Sequence, residues 1–129
     1  MKNKIMILII SLLIPLIGYA AWMSKITNSN GTTVVTIVDA PAASTTRIVA
    51  ANGGVTAYNS SGASVTFDIQ LGNTLVTNVI EKVILGANDT YINDWSLALD
   101  GTTNTLEFVG STAFGTVVDI ITRYSDQGQ

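Results

Sequence analysis

Residues 63–71 alternate without a break: Ala63, Val65, Phe67, Ile69 and Leu71 fall on one side of the period, and Ser64, Thr66, Asp68 and Gln70 on the other. Successive side chains of an extended chain point to opposite faces, so this run has one apolar face and one wet face. The apolar face has to be buried against a second layer. Trp95, Leu97 and Leu99 repeat the period, as do Leu106 and Phe108 around an outward Glu107. No window beyond residue 24 sustains the 3.6-residue period of a helix.

Turn chemistry separates these runs at short intervals. Asn28-Ser29-Asn30-Gly31, Asn52-Gly53-Gly54, Asn59-Ser60-Ser61-Gly62, Gly72-Asn73, Gly86-Ala87-Asn88-Asp89, Asp100-Gly101 and the stretch 110–115 supply residues that accept positive φ. Spacings of this kind indicate a sandwich or barrel. With further β-type runs at 34–38, 47–50, 55–58, 79–85 and 117–124, about eight strands are expected. They fit an all-β, single, jelly-roll-like antiparallel sandwich of two four-stranded sheets. The expected organisation is an apolar N-terminal segment at 1–22, a linker at 23–31, the sandwich at 32–126 and a tail at 127–129. Pro41 lacks a ladder donor and belongs in a loop or bulge between the first two strands. Val83-Ile84-Leu85 and Ile120-Ile121 are apolar on both faces, so such strands are central or covered by a partner.

The residue inventory excludes most chemistry. Among the 129 residues there is no cysteine and no histidine. Thiolate zinc sites, cysteine nucleophiles, disulfides and Ser–His triads are therefore out of reach. No cofactor is expected and no enzyme. Net charge is −3, and beyond Met23 only Lys25, Arg47, Lys82 and Arg123 are basic. Binding to a phosphate backbone needs clustered Lys and Arg, so nucleic acid is not an expected partner. Charged residues make up 12% of the chain, against roughly 25% in an average soluble domain. Neutral polar surface costs less to desolvate than charged surface, which suits faces that become buried in an assembly.

Lys2 and Lys4 precede a charge-free apolar run from Ile5 to Met23, interrupted by Ser11, Pro15 and Gly18. This segment is expected to be helical. Three readings stay open: a signal peptide cut after Ala20 behind Gly18-Tyr19-Ala20, a membrane anchor of spanning length, and a start codon placed upstream of a natural beginning at Met23. Membrane contact is expected only through residues 5–22.

Candidate sites are few. The nine carboxylates select no pair for a glycosidase cleft, and they read as solvated strand and turn residues. The oxygen-rich stretch 88–94 has calcium-ligand chemistry but not the EF-hand spacing, so no metal site is assigned. Asn59-Ser60-Ser61 matches a glycosylation acceptor, a weak signal by itself. Aromatic residues are enriched at interface hot spots. Phe114, in a loop, is the first candidate for an interface, with Tyr58 and Tyr91 beside it.

The segments Thr33-Val34-Val35-Thr36-Ile37-Val38, Ala40-Pro41-Ala42, Thr45-Thr46-Arg47-Ile48-Val49, Ala57-Tyr58-Asn59 and Val65-Thr66-Phe67-Asp68-Ile69 form a pattern. It resembles small β-sandwich virion proteins of tailed bacteriophages, of the capsid-decoration, head–tail or tail-attached type. Leu85-Gly86-Ala87-Asn88-Asp89 and Asn104-Thr105-Leu106-Glu107-Phe108 fit the same layout. The resemblance covers residues 32–126 and carries no catalytic signature. It implies a non-enzymatic structural protein located in the virion, a homo-oligomer whose partners are other virion proteins. The apolar N-terminus departs from that family. The alternative is an exported or membrane-anchored bacterial surface domain that binds a glycan or a protein.

Overall fold

A computed structural model describes residues 21–73, 78–114 and 117–128. The described chain is all-β. Its strands are β1 (Trp22–Ser29), β2 (Val35–Val38), β3 (Thr45–Val49), β4 (Val55–Asn59), β5 (Val65–Gly72), β6 (Asn78–Leu85), β7 (Thr90–Ile92), β8 (Leu97–Asp100), β9 (Thr105–Gly110) and β10 (Val118–Gly128). Every pairing is antiparallel. The helical segment expected at the N-terminus lies outside the described residues.

Two sheets form. The smaller runs β2-β9-β5-β6. In the larger, β10 is the hub. β1 lies along one flank, with Trp22 opposite Ser125 and Ser29 opposite Val118. The other flank is shared by β4, which faces Val118–Thr122, and β3, which faces Tyr124–Gly128. β3 and β4 are thus collinear pieces of one interrupted ribbon. β8 pairs β3 and β7 pairs β4, so these two form a second interrupted ribbon outside the first. The larger sheet is four ribbons wide, like the smaller one.

The two interruptions, residues 50–54 and 93–96, sit side by side and are held by Asn93, which is wholly buried. Its backbone N–H donates to the Val55 carbonyl (3.1 Å), and its carbonyl accepts from Asn52 N–H (2.8 Å). Its Oδ1 accepts from Val55 N–H at 2.8 Å and Gly53 N–H at 3.2 Å. Its Nδ2 donates to the Ala50 and Trp95 carbonyls. Arg123 N–H donates to the Gly54 carbonyl (2.8 Å), so the ladder of β10 crosses the gap. Backbone groups orphaned by two broken strands would be costly inside a protein. One amide side chain satisfies them.

The inner faces share one core. Phe67 and Phe108 stack at 4.3 Å between centroids, and Tyr91 of the opposite sheet meets Phe67 edge-on at 5.9 Å. Ile37, Val49, Val55, Leu99, Leu106, Val118 and Ile120 complete it. The alternation is realised in β5 as far as Ile69, with Val65, Phe67 and Ile69 buried; a bulge between Ile69 and Gln70 then buries Gln70 and leaves Leu71 half-buried. Gly31, with φ of +132°, lies against the backbone of Thr112–Phe114, where a Cβ would fall 2.5 Å from the Ala113 Cα.

Three stretches differ from the expectation. Residues 23–31 are no linker, because Trp22–Ser29 is a full strand of the larger sheet. Its polar residues hid it: Lys25 faces the sandwich rim, where its ammonium meets Asp39 at 3.0 Å, and only the partner strand makes the period visible. The tail at 127–129 is shortened, since Gln127 and Gly128 pair with Thr46 and Thr45. The oxygen-rich stretch 88–94 contains the strand β7, with Tyr91 turned toward the core.

Asn93→Ala removes both acceptor and donor from the paired interruptions. We expect a loss of about 3 kcal/mol, the scale of two buried backbone groups left unsatisfied. Equilibrium urea unfolding checks it. A loss below about 1 kcal/mol, the size of one ordinary hydrogen bond, would mean that the interruptions hold themselves.

Candidate interaction surface

Register places side chains in rows across the outer face of the larger sheet. Ile26, Ile121, Thr56 and Ile92 lie opposite one another on β1, β10, β4 and β7. Ile26 is 74% exposed, Ile92 57% and Ile121 40%. Three of the four positions across the width of the sheet are thus isoleucine, and the half-buried Thr56 is the fourth. The next row along the strands is Asn28, Asp119, Tyr58 and Thr90. Asn28 Nδ2 donates to Asp119 Oδ1 at 2.5 Å, tying β1 to β10. On the other side of the stripe Ser24 lies opposite Arg123, whose exposed guanidinium has no partner among the described residues. Scattered exposed apolar residues are ordinary on a protein surface. Ile26 and Ile121 adjoin and Ile92 follows one strand beyond Thr56, a grouping of exposed apolar side chains of the kind that marks contact sites.

Beyond this row the face ends in an open cleft of about 490 Å³ between the start of β1 and the interruption at 50–54, lined by Trp22, Met23, Asn52, Gly54 and Arg123 among others. On the smaller sheet, the edge strand β6 exposes Val79 and, at 76%, Ile84. Lys82 of the same strand pairs with Asp68 at 2.7 Å. A lysine on an edge is a common guard against strand-to-strand pairing.

The three expected interface residues are not brought together. Tyr58 is exposed on the outer face, next to the isoleucine row. Tyr91 points the other way, into the core, and its hydroxyl donates to Glu81. Phe114 is half-buried at one end of the sandwich, edge-on to Phe108 at 6.4 Å, and fills the space over Gly110. Sequence reasoning passed over Ile26, Ile92 and Arg123. Ile121 was flagged as apolar on an outward face, but only the register joins it to the others.

Polar groups at the rims are tied up. Glu81 Oε2 accepts from Trp95 Nε1 at 2.7 Å as well as from Tyr91, closing the side of the sandwich between β6 and β7. Burial first, then the bond to Glu81, pushes the Tyr91 hydroxyl well above the ordinary phenol range. Arg47 holds Asp126 through Nε (2.6 Å) and Nη2 (2.8 Å) and lies over the Tyr124 ring at 4.6 Å. The bond to Arg47 lowers the Asp126 carboxyl below the usual carboxylate range, against the opposing effect of burial. The fork-to-fork geometry orients both groups.

The carboxylates are dispersed on separate partners: Asp39 on Lys25, Asp68 on Lys82, Asp126 on Arg47, Glu107 on Gln70. Among the described residues no three Asp or Glu side chains gather to hold a metal ion. Asn59, the glycosylation candidate, is fully buried. Its Nδ2 donates to the Ala63 and Gly86 carbonyls at 2.9 and 2.8 Å, and its Oδ1 accepts from Ser61 N–H. The folded chain does not offer that nitrogen for modification. Among the described residues no helix is long and apolar enough to cross a membrane.

No protein-family model and no curated protein matches the chain. Among solved structures, a chain of the disulfide-linked pili formed by Bacillus endospore appendages is similar over 86% of this chain and 91% of that one, with a TM-score of 0.44 and 9% identity.

The raised Tyr91 hydroxyl links stability to alkaline pH. A folded pKa above the unfolded value contributes stability fully present below the unfolded pKa, near 10. That contribution is lost as pH rises through the folded pKa. Urea midpoints measured from pH 8 to 12 should fall on the alkaline side in the parent and fall less in Tyr91→Phe. Parallel curves would show that burial and Glu81 together do not raise this phenol.

Proposed function

We propose that this chain is a non-enzymatic structural subunit, a jelly-roll sandwich that works in many copies through protein–protein contacts. The pairing order supports the jelly-roll part. Counting each interrupted ribbon once gives eight runs in chain order, with β3 and β4 as the third and β7 and β8 as the sixth. The first then pairs the eighth, the second the seventh, the third the sixth and the fourth the fifth. This is one long antiparallel hairpin wound over itself into two sheets, the double Greek key of that architecture.

The observation that carries the functional part is the isoleucine row across the outer face of the larger sheet. A stable inner core already exists without it, so those side chains do not serve the fold of one copy. The sparse charge of the surface lowers the desolvation cost of covering them. The dispersal of the carboxylates on structural partners supports a role without catalysis.

The setting has two readings. A cut after Ala20 would leave Ala21 first, one residue before β1, and would spare the whole β1–β10 ladder; this favours an exported subunit of a surface assembly. The phage resemblance favours a virion subunit starting at Met23 or Ser24, which would remove Trp22 from its place opposite Ser125.

Intact mass and native size of the protein recovered from its own cells test both points. The expected result is a chain beginning at Ala21, found outside the cytoplasm in particles larger than a monomer. A dilute monomer at every concentration would overturn the structural role. A multimer beginning at Met23 or Ser24 would move it to the virion setting.

A further inference from the structure

We infer that the outer face of the larger sheet is the contact surface for a second copy of this chain, packed face to face about a two-fold axis along the isoleucine row. This rests on the structural-subunit reading above and names its partner. The reason lies in how charge is arranged about the row. β10 sends Asp119, Ile121 and Arg123 outward in succession, with Ile121 in the middle. Same-face neighbours on a strand are about 7 Å apart, so the two opposite charges stand about 13 Å apart with the stripe between them.

A two-fold axis lying along the stripe reverses strand direction and keeps each ribbon over its own copy. Each isoleucine then meets its equivalent, and Arg123 comes to stand over Asp119 of the second copy, and Asp119 over Arg123. The same operation sets Tyr58 over the interruption at 50–54, where the Ala50 backbone covers Gly54 and the ring meets an uncharged loop. Asn28 comes over Ser24, a neutral polar pair. No like charges meet. A patch that carries one cation and one anion at equal distances on either side of an apolar row is complementary to itself, as an isologous interface must be. Aligned sheets cross at about 30° rather than lying parallel. The length of the arginine side chain absorbs that rotation near the axis.

The Arg123 guanidinium supplies the second observation. The other cations with resolved partners, Lys25, Arg47 and Lys82, are each paired within the chain. Arg123 has no such partner among the described residues, and Asp119 accepts only from the neutral Asn28 amide. The patch is four ribbons wide, about 15 Å. That places the pair below a standard interface, a reversible contact made secure when many copies present it together.

Charge exchange in the full chain, held in a mild nonionic detergent, tests this by sedimentation velocity. Asp119→Arg and Arg123→Asp each place like charges opposite one another and should weaken self-association at least about tenfold. The double exchange, Asp119→Arg with Arg123→Asp, restores complementarity and should return to within about threefold of the parent. Both side chains are exposed, so the unfolding midpoint serves as the control for folding. Because the chain has no cysteine, Ile121→Cys should cross-link to itself with a short bismaleimide, and Ile84→Cys on the smaller sheet should not. A double exchange as weak as either single change, or cross-linking through Ile84 instead of Ile121, would overturn this interface while leaving assembly through another surface standing. A parent chain that never self-associates would overturn both.

Discussion

The larger sheet depends on the ladder of β10. Both flanks of this strand are paired from Val118 to Ser125, by β1 on one side and by β4 and β3 in turn on the other. Buried backbone donors and acceptors cannot be left unpaired cheaply, and β10 meets that demand for three neighbouring strands at once. Its inward side chains, Val118, Ile120 and Thr122, are fully buried, and Thr122 Oγ1 donates across to the Ile37 carbonyl of β2 at 2.9 Å. One strand thus pairs with the first described strand, fills the core and stitches one sheet to the other.

The cost of that arrangement appears where its neighbours break. The second ribbon is interrupted at 50–54 and the third at 93–96, and without help the gap would expose backbone groups beside a dry core. Asn93 answers it by using both ends of its amide, and Arg123 N–H carries the β10 ladder past Gly54. The interruption also shapes the exterior, because it opens the cleft beside Trp22 and folds the Ala50 backbone over Gly54 on the face that bears the isoleucine row.

Much of this was legible in the sequence, for physical reasons that differ from element to element. β5 declared itself because its period is strict and both its neighbours bury the same face. The turns at Asn52-Gly53, Asn88 and Gly101 were legible because positive φ requires such residues, and all four adopt it. β1 was not legible: Ser24, Lys25, Thr27 and Asn28 mask its period, and the strand is defined by its pairing with β10 at the far end of the sequence, as in Asn28 opposite Asp119. β7 was hidden among residues that favour turns. The isoleucine row could not be found by local reading, since its members lie at positions 26, 92 and 121 and only strand register brings them level. Tyr91 and Phe114 stand out in the sequence only as aromatics; the structure sets Tyr91 against Phe67 and Glu81 of the opposite sheet and folds Phe114 back over Phe108 and Gly110.

A sandwich hung on β10 predicts a particular order of opening. Native-state amide hydrogen exchange across the β10 ladder tests it most directly. The amides of Ile120 and Thr122 should exchange only through global unfolding, with a free energy equal to that from urea denaturation, while amides of the edge strands β2 and β6 open at lower cost. Exchange of the β10 amides at the rate of the edge strands would contradict the central place given to this strand.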